Sequence, residues 1–221
     1  MINRQRRDLL AAAACTAGLA LAPTVVRAQG APQLNNDSRL VEPTQPSDAG
    51  GKIEVIEFFG YWCPHCAEFE PLMTSWSKRV PGDVQLRYVP VAFSPAQDIY
   101  SKFFYALDAM GLVASMHGKV FNALHTAKTT TLATPEMCAD FMASNGVDRA
   151  KFLDTLKSFG VQSRAQQAKR VCDAYRVEGT PALAVAGRFY TAPSMAADGG
   201  PGALRVVDYL LDQVRRAPAK A

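Results

Sequence analysis

The chain of 221 residues lacks three features that would each place it in a particular class of protein. It carries little net charge beyond its first 28 residues, because the remaining 20 basic and 19 acidic side chains nearly balance. It has no Lys/Arg-rich run outside that N-terminal stretch, and no other apolar run is long enough for a membrane helix. The composition therefore predicts neither nucleic-acid binding nor a membrane-spanning domain.

Cysteine is also scarce, and only one pair of the five cysteines, Cys63 and Cys66, has the C-x-x-C spacing. A structural zinc site needs four ligands, usually from two such pairs. Cys138 and Cys172 stand alone in the sequence, so no metal site is predicted. The chain also has no internal repeat and no extended low-complexity segment, which argues against a solenoid.

The first 28 residues have the pattern of a cleavable export signal. Three arginines precede an alanine-rich apolar stretch, Leu9 to Leu21, that is too short to span a bilayer. Cleavage after Ala28 is predicted, with a retained membrane anchor, or a lipoprotein joined through Cys15, as alternatives. The pair Arg6-Arg7 also fits a twin-arginine signal, so the export route stays open. Export predicts a compartment in which disulfides form and persist.

Strand and helix patterns alternate in an order that predicts an α/β fold. Ile53–Phe59 is apolar on both faces, which is typical of a central strand. Residues 96–176 show helical stripes and no convincing strand. The remaining predicted elements are a helix over Pro64–Lys78, a strand over Val84–Val91, an edge strand at Arg39-Leu40-Val41, a hairpin over Ala182–Thr191, a loop over Ser194–Gly202 and a terminal helix through Leu204 and Val214.

The motif Cys63-Pro64-His65-Cys66 follows the central strand and begins a helix. Unpaired N–H groups and the helix dipole favour an anion at that place, which lowers the pKa of a thiol there. A thiolate stabilised in this way is a good leaving group, so it makes the disulfide a strong oxidant. We predict that Cys63 is the more exposed, client-facing sulfur and that Cys66 is the buried one.

These residues resemble the DsbA family of periplasmic thiol:disulfide oxidoreductases. The resemblance lies in Glu57-Phe58-Phe59 before the C-x-x-C motif, in the helical insertion, and in Gly179-Thr180-Pro181 before a hairpin. It implies a thioredoxin-like fold with a central mixed sheet and an inserted all-helical domain. The implied divisions are a signal peptide over 1–28, a mobile segment with the edge strand over 29–51, a thioredoxin-like domain over 52–95 and 177–217, and the helical insertion over 96–176.

The resemblance also implies roles for several residues around the motif. Pro181 is expected to be cis and to face the cysteines, leaving the Thr180 backbone free to pair with an extended client segment. The Thr180 hydroxyl, where the family often has valine, is expected to tune Cys63. His65 is expected to stabilise the thiolate, or else to be merely solvated at the helix start.

Glu57 interrupts an apolar strand, and a buried carboxyl there can relay a proton to or from Cys66. In the family an acid at this position pairs with a lysine on the next strand, and Arg87 is predicted to take that place; a purely structural ion pair is the alternative.

Two further predictions concern cysteines and aromatic residues outside the motif. A disulfide between Cys138 and Cys172 is favoured in an exported protein, with two buried free thiols as the alternative. Tyr61, Trp62 and Phe93 are predicted to line an apolar surface for clients, or else to be core.

The leading functional hypothesis is a monomeric dithiol oxidase that needs no cofactor and donates its disulfide to reduced, unfolded, newly exported proteins. The resemblance implies a quinone-linked membrane oxidase of the DsbB type as the partner that re-oxidises it. The alternatives are a disulfide isomerase or reductase, and a non-enzymatic, chaperone-like binding module.

Overall fold

A computed structural model of the protein describes residue 32 and residues 36–47 and 49–216. The predicted signal peptide over 1–28 lies outside the described residues. None of the helices in the described part of the chain is long and apolar enough to cross a membrane.

The described residues contain five strands: β1 Arg39–Leu40, β2 Ile53–Phe59, β3 Val84–Pro90, β4 Ala182–Val185 and β5 Phe189–Thr191. They form one mixed sheet in the order β1-β5-β4-β2-β3. The central strand β2 pairs in parallel with β3 and antiparallel with β4, and the edge strand β1 pairs antiparallel with β5. Six of the seven residues of β2 are buried, as its apolar sequence predicts for a strand covered on both faces.

Seven α-helices lie within the described residues, some packed on the sheet and others on neighbouring helices. A 3₁₀ turn, Pro95–Gln97, precedes α2, and a π-helical segment, Asn122–Thr126, continues α3. The predicted N-caps of α4 and α5 are present, because Thr134 accepts from the N–H of Met137 and Asp148 from that of Lys151. The helices are α1 Pro64–Ser77, α2 Asp98–Ala109, α3 Val113–Phe121, α4 Pro135–Ser144, α5 Arg149–Lys157, α6 Phe159–Ala174 and α7 Gly199–Arg216.

Two apolar cores lie on the two faces of the sheet. Side chains alternate along β2, so Val55 joins the core formed with α1 and α7, whereas Ile56 and Phe58 join the core formed with the helices between β3 and β4. The end of β2, where the C-x-x-C motif begins, therefore lies between the two cores.

The glycine-rich stretch predicted as a loop is partly helical, because α7 begins at Gly199. The glycines have no side chains, which explains why a helix can form where a loop was predicted. A Cβ on Gly200 would lie 2.8 Å from Cδ1 of Leu72 and 3.0 Å from Cδ2 of Phe69. Glycine therefore lets the first turn of α7 lie directly against α1, and packing outweighs its poor helix propensity.

Candidate active site

The turn that joins β2 to α1 carries Cys63. The N–H of Cys63 donates to the carbonyl of Gly60 at 3.0 Å, which closes the turn. Cys63 is the N-cap of α1 with extended backbone angles, and Pro64 occupies the first helical position, where its missing N–H costs nothing. The sulfur of Cys63 therefore lies at the N-terminus of a helix, as the sequence predicts.

The environment of Cys63 favours its thiolate and lowers the pKa of this thiol from 9.0 to about 5. The largest cause is a hydrogen bond from the Cys66 thiol, and it outweighs the opposing effect of burial. The Thr180 side chain and the backbone N–H groups of Cys66 and His65 lower the pKa further. Cys63 is only 4% exposed, so it is less open than predicted, although more so than the fully buried Cys66.

The environment of Cys66 favours its protonated thiol instead. Burial first, and then the neighbouring Cys63 thiolate, raise the pKa of Cys66 far above its ordinary value. Its sulfur accepts a long hydrogen bond from the N–H of Gly60 at 3.5 Å. Both cysteines are free thiols in this structure, so the described geometry is that of the dithiol form.

The peptide bond between Thr180 and Pro181 is cis, as the resemblance implies. It lies beside the cysteines, because the thiol of Cys63 donates to the Thr180 carbonyl at 3.4 Å. The Thr180 hydroxyl is buried and makes no hydrogen bond of normal geometry within the described residues, yet it contributes to lowering the pKa of Cys63. Tuning of Cys63 by this hydroxyl stays a prediction.

The ring of His65 contacts Glu68 in this structure, and its expected effect on the Cys63 thiolate stays a prediction. Its ring is exposed and lies 3.3 Å from the carboxylate of Glu68, one helical turn along α1. The ring is drawn toward solvent and Glu68 because residues three apart on a helix are neighbours. His65 lowers the pKa of Cys63 through its backbone N–H.

The two aromatic residues before Cys63 differ in exposure, which corrects the prediction for Tyr61. Tyr61 is fully buried, so it cannot contact a client; its ring faces the core between the sheet and α3. Trp62 is half-buried, donates from Nε1 to the carbonyl of Val91 at 3.0 Å, and packs edge-on against Phe93 with the ring centroids 5.7 Å apart. Phe93 is 49% exposed, so Trp62 and Phe93 form the apolar surface next to the motif.

The predicted pair between Glu57 and Arg87 is wrong. Arg87 lies opposite Ile56 in the parallel register, so it shares the face of Ile56 and contacts Glu54 at 3.4 Å. Glu57 points to the other face and lies opposite Tyr88. Burial, with a smaller effect from Glu70, raises the pKa of Glu57 to about 8. One carboxyl oxygen of Glu57 has no hydrogen-bond partner among the described residues.

The favoured disulfide between Cys138 and Cys172 is not formed in the structure, which instead matches the alternative of two buried free thiols. Cys138 lies on α4 and donates to the carbonyl of Leu132, whereas Cys172 lies on α6. Helix α5 packs on both α4 and α6. Burial raises the pKa of each thiol to about 12.

A cavity of about 680 Å³ opens beside Thr180 and Pro181. Part of its wall is apolar, from Phe69 and Leu72 on α1 and from Met195. The sequence did not single out the charged residues of this cavity, because they come from segments that are far apart in the sequence and meet only in the fold: Arg39, Glu68, Arg176 and Glu178. No cluster of metal-ligating side chains occurs in residues 36–47 and 49–216.

Comparison with known proteins adds an independent line of evidence. The sequence model of a family described as Thioredoxin matches residues 48–198. The thiol:disulfide interchange protein DsbA of Bordetella parapertussis is 44% identical over 208 residues, which cover 94% of this chain and 96% of the relative. DsbA of Pseudomonas aeruginosa is 38% identical and covers 93% and 97% of the two chains.

Comparison with solved structures gives the same result. The crystal structure of Pseudomonas aeruginosa DsbA has a TM-score of 0.80 at 36% identity and covers 85% of this chain and 97% of that one. The oxidoreductase DsbA of Xylella fastidiosa also has a TM-score of 0.80, at 31% identity. These matches confirm the predicted α/β, thioredoxin-like fold.

Proposed function

Because this chain belongs to the DsbA family of thiol:disulfide interchange proteins, we propose that it is a periplasmic oxidase that donates the Cys63–Cys66 disulfide to reduced, newly exported proteins. The observation that carries the role of this site is the placement of Cys63 at the N-terminus of α1, beside the cis Thr180–Pro181 bond, with Cys66 fully buried next to it. The opposite pKa shifts of the two thiols are consistent with that placement. A low pKa at Cys63 stabilises the dithiol form and makes its disulfide oxidising.

The exchange takes two steps. A client thiolate attacks the sulfur of Cys63, a mixed disulfide forms, and Cys66 leaves and takes up a proton. A second client thiolate then attacks the client sulfur of the mixed disulfide, and Cys63 leaves as a thiolate. The client gains a disulfide, and the two electrons it loses reduce Cys63–Cys66 to the dithiol.

Glu57 is proposed to supply the proton that Cys66 needs. It lies on the face of β2 covered by α1, and α1 also carries Cys66 on its buried side. A carboxyl with a pKa of about 8 holds its proton at neutral pH and can give it to a strongly basic thiolate. Arg87 does not neutralise Glu57 as the family pattern would have it, because Arg87 lies on the other face of the sheet and pairs with Glu54.

Clients are proposed to bind at the cis-proline. The backbone of Thr180 lies next to the sulfur of Cys63, so an extended client segment paired with it would bring its cysteine to the point of attack. Trp62 and Phe93 offer apolar contact on one side, and the cavity beside Pro181 offers it on the other. Such contacts suit unfolded clients of varied sequence.

Membership of the family implies contact with substrate proteins and with a redox partner. The finer proposals are re-oxidation by a quinone-linked membrane oxidase of the DsbB type, export to the periplasm after cleavage at Ala28, and action as a monomer. The division into a thioredoxin-like domain and a helical insertion over 96–176 also stays a proposal.

Oxidation of a reduced, unfolded client by the oxidised protein tests this function. We expect the wild-type protein to form the client disulfide rapidly and Cys63→Ser to be inactive. Cys172→Ala is the matched control, because it removes a cysteine that lies on α6 outside the motif. Client oxidation by Cys63→Ser at the wild-type rate would contradict the site assignment.

A further inference from the structure

Tyr61, the second residue before Cys63, is held at two points by histidines of the helical insertion. Its hydroxyl lies 2.7 Å from Nδ1 of His117 on α3. Its main-chain carbonyl lies 2.7 Å from Nε2 of His125 in the π-helical segment. Two of the chain's three histidines thus contact a single residue of the active-site turn.

The chemistry of the groups fixes the direction of one of these two hydrogen bonds. Burial lowers the pKa of His117 to about 3 and raises the pKa of Tyr61 well above its ordinary value, so both side chains are neutral. The Tyr61 hydroxyl and Nδ1 of His117 share a hydrogen bond whose direction depends on the His117 tautomer. A carbonyl oxygen can only accept, so His125 donates its Nε2–H to Tyr61.

The segment that carries His125 departs from regular helix at this place. Residues Asn122–Thr126 form a single π-helical stretch, in which the N–H of Ala127 bonds to the carbonyl of Asn122. Such stretches cost stability relative to α-helix and frequently occur at functional sites. Here the stretch contains a side chain that bonds to the backbone of the active-site turn.

The position of Tyr61 matters because the turn from Gly60 to Cys63 sets the geometry of both sulfurs. The N–H of Gly60 bonds to the sulfur of Cys66, and the carbonyl of Gly60 accepts from the N–H of Cys63. The bonds that stabilise the Cys63 thiolate weaken steeply when their length or angle changes. A displaced turn would therefore lose part of that stabilisation.

We propose that His125 is a positioning residue for Cys63: its ring N–H holds the Tyr61 carbonyl and thereby fixes the turn that presents Cys63 at the N-terminus of α1. The proposal rests on the proposed function, since it assigns the helical insertion a part in setting the reactivity of Cys63. The ring of His125 acts on the sulfurs through the backbone of the turn.

Variants of His125 test the proposal on the folded protein. His125→Ala and His125→Leu both remove the donor, and leucine keeps most of the volume. Each is expected to raise the pKa of Cys63 and to shift the equilibrium with glutathione about threefold to tenfold toward the disulfide form of the protein. His125→Gln keeps an amide donor of similar reach and is expected to restore at least part of the wild-type value.

The readouts are the ultraviolet absorbance of the Cys63 thiolate against pH and the glutathione equilibrium. Tyr100→Phe is the matched control, because it also removes a side-chain hydrogen bond to a carbonyl in the insertion, that of Thr131 at 2.8 Å. It is expected to leave both readouts unchanged.

A wild-type Cys63 pKa and glutathione equilibrium in both His125→Ala and His125→Leu would overturn the proposal, whatever happens to their stability. Equal shifts of the Cys63 pKa and of the glutathione equilibrium in Tyr100→Phe would also overturn the proposal. They would show that any lost hydrogen bond in the helical insertion changes Cys63. The thiolate titration needs no client, so it tests the role of His125 independently of client oxidation. A failure of client oxidation would contradict the proposed function instead.

Discussion

At the scale of single residues, the chemistry of the site lies in the contrast between two sulfurs one helical turn apart. Cys63 caps α1 and receives hydrogen bonds that favour its thiolate, whereas Cys66 is enclosed and keeps its proton. An oxidant of this kind works because its reduced form is the more stable one. Three physical causes produce the contrast: a helix N-terminus, a neighbouring thiol, and burial.

The first prediction concerns the pH dependence of the reduced protein. The pKa of Cys63 is lowered from 9.0 to about 5, so its thiolate stabilises the folded state fully above pH 9. That contribution is lost as the pH falls from 9 through 5. We expect the stability difference between the reduced wild-type protein and Cys63→Ser to shrink over this window, as measured by urea unfolding. A difference that stays constant between pH 9 and 5 would contradict the assigned shift.

The second prediction concerns Glu57. Its pKa is raised from 4.5 to about 8, so the folded state holds a proton that the unfolded state has already released, and stability falls as the pH rises through this window. Glu57→Gln mimics the protonated form. Its free energy of unfolding should therefore equal that of the wild type near pH 4.5 and exceed it by about 1–3 kcal/mol at pH 7. Denaturant unfolding across the window measures it. An equal gain at every pH would show that Glu57 does not titrate there.

At the scale of secondary-structure elements, alternation along the strands decides which side chains meet. The sequence predicts β2 and β3 correctly, but the pairing of Glu57 depends on the register between them. The register places Arg87 opposite Ile56, one residue away from the position needed to reach Glu57. A shift of one residue moves a side chain to the other face of the sheet. A family pattern can therefore predict the order of the strands correctly and still predict the wrong side-chain contacts.

The third prediction tests the packing of α7 on α1. A Cβ on Gly200 would meet side-chain atoms of Leu72 and Phe69 at 3.0 Å or less, so Gly200→Ala should be less stable than Gly160→Ala by about 1–2 kcal/mol. Gly160→Ala is the control, because no atom lies within 4 Å of a Cβ there and alanine favours the helix. Thermal unfolding of the two variants measures the contrast. Equal stability of both variants would contradict the close approach of the helices.

At the scale of the whole molecule, the order of elements is readable from the sequence and the contacts between distant segments are not. Apolar periodicity and turn residues locate the strands, the caps at Thr134 and Asp148, and the motif at the end of β2. The contacts of His117 and His125 with Tyr61 join segments 56 and 64 residues apart. Neither histidine carries a local signal of that role, so only the folded chain shows it.

The fourth prediction counts thiols in the oxidised protein. The structure has Cys138 and Cys172 as free, buried thiols. Alkylation of the oxidised protein should therefore label neither cysteine in the native state and both after unfolding without reductant, as intact mass would show. If the unfolded protein takes up no label at all, Cys138 and Cys172 are bridged as well as Cys63 and Cys66.

The central claim, that Cys63 of the C-x-x-C motif is the sulfur that forms the mixed disulfide with a client, is tested most directly by trapping that intermediate. In Cys66→Ser the second cysteine cannot resolve the adduct, so incubation with a client that carries an activated disulfide should give a covalent complex through Cys63. The helix N-terminus and the backbone N–H groups that favour the Cys63 thiolate remain in this variant and should keep Cys63 reactive, and peptide mapping should place the link at Cys63. An adduct in Cys63→Ser through Cys66, and none in Cys66→Ser, would contradict the account.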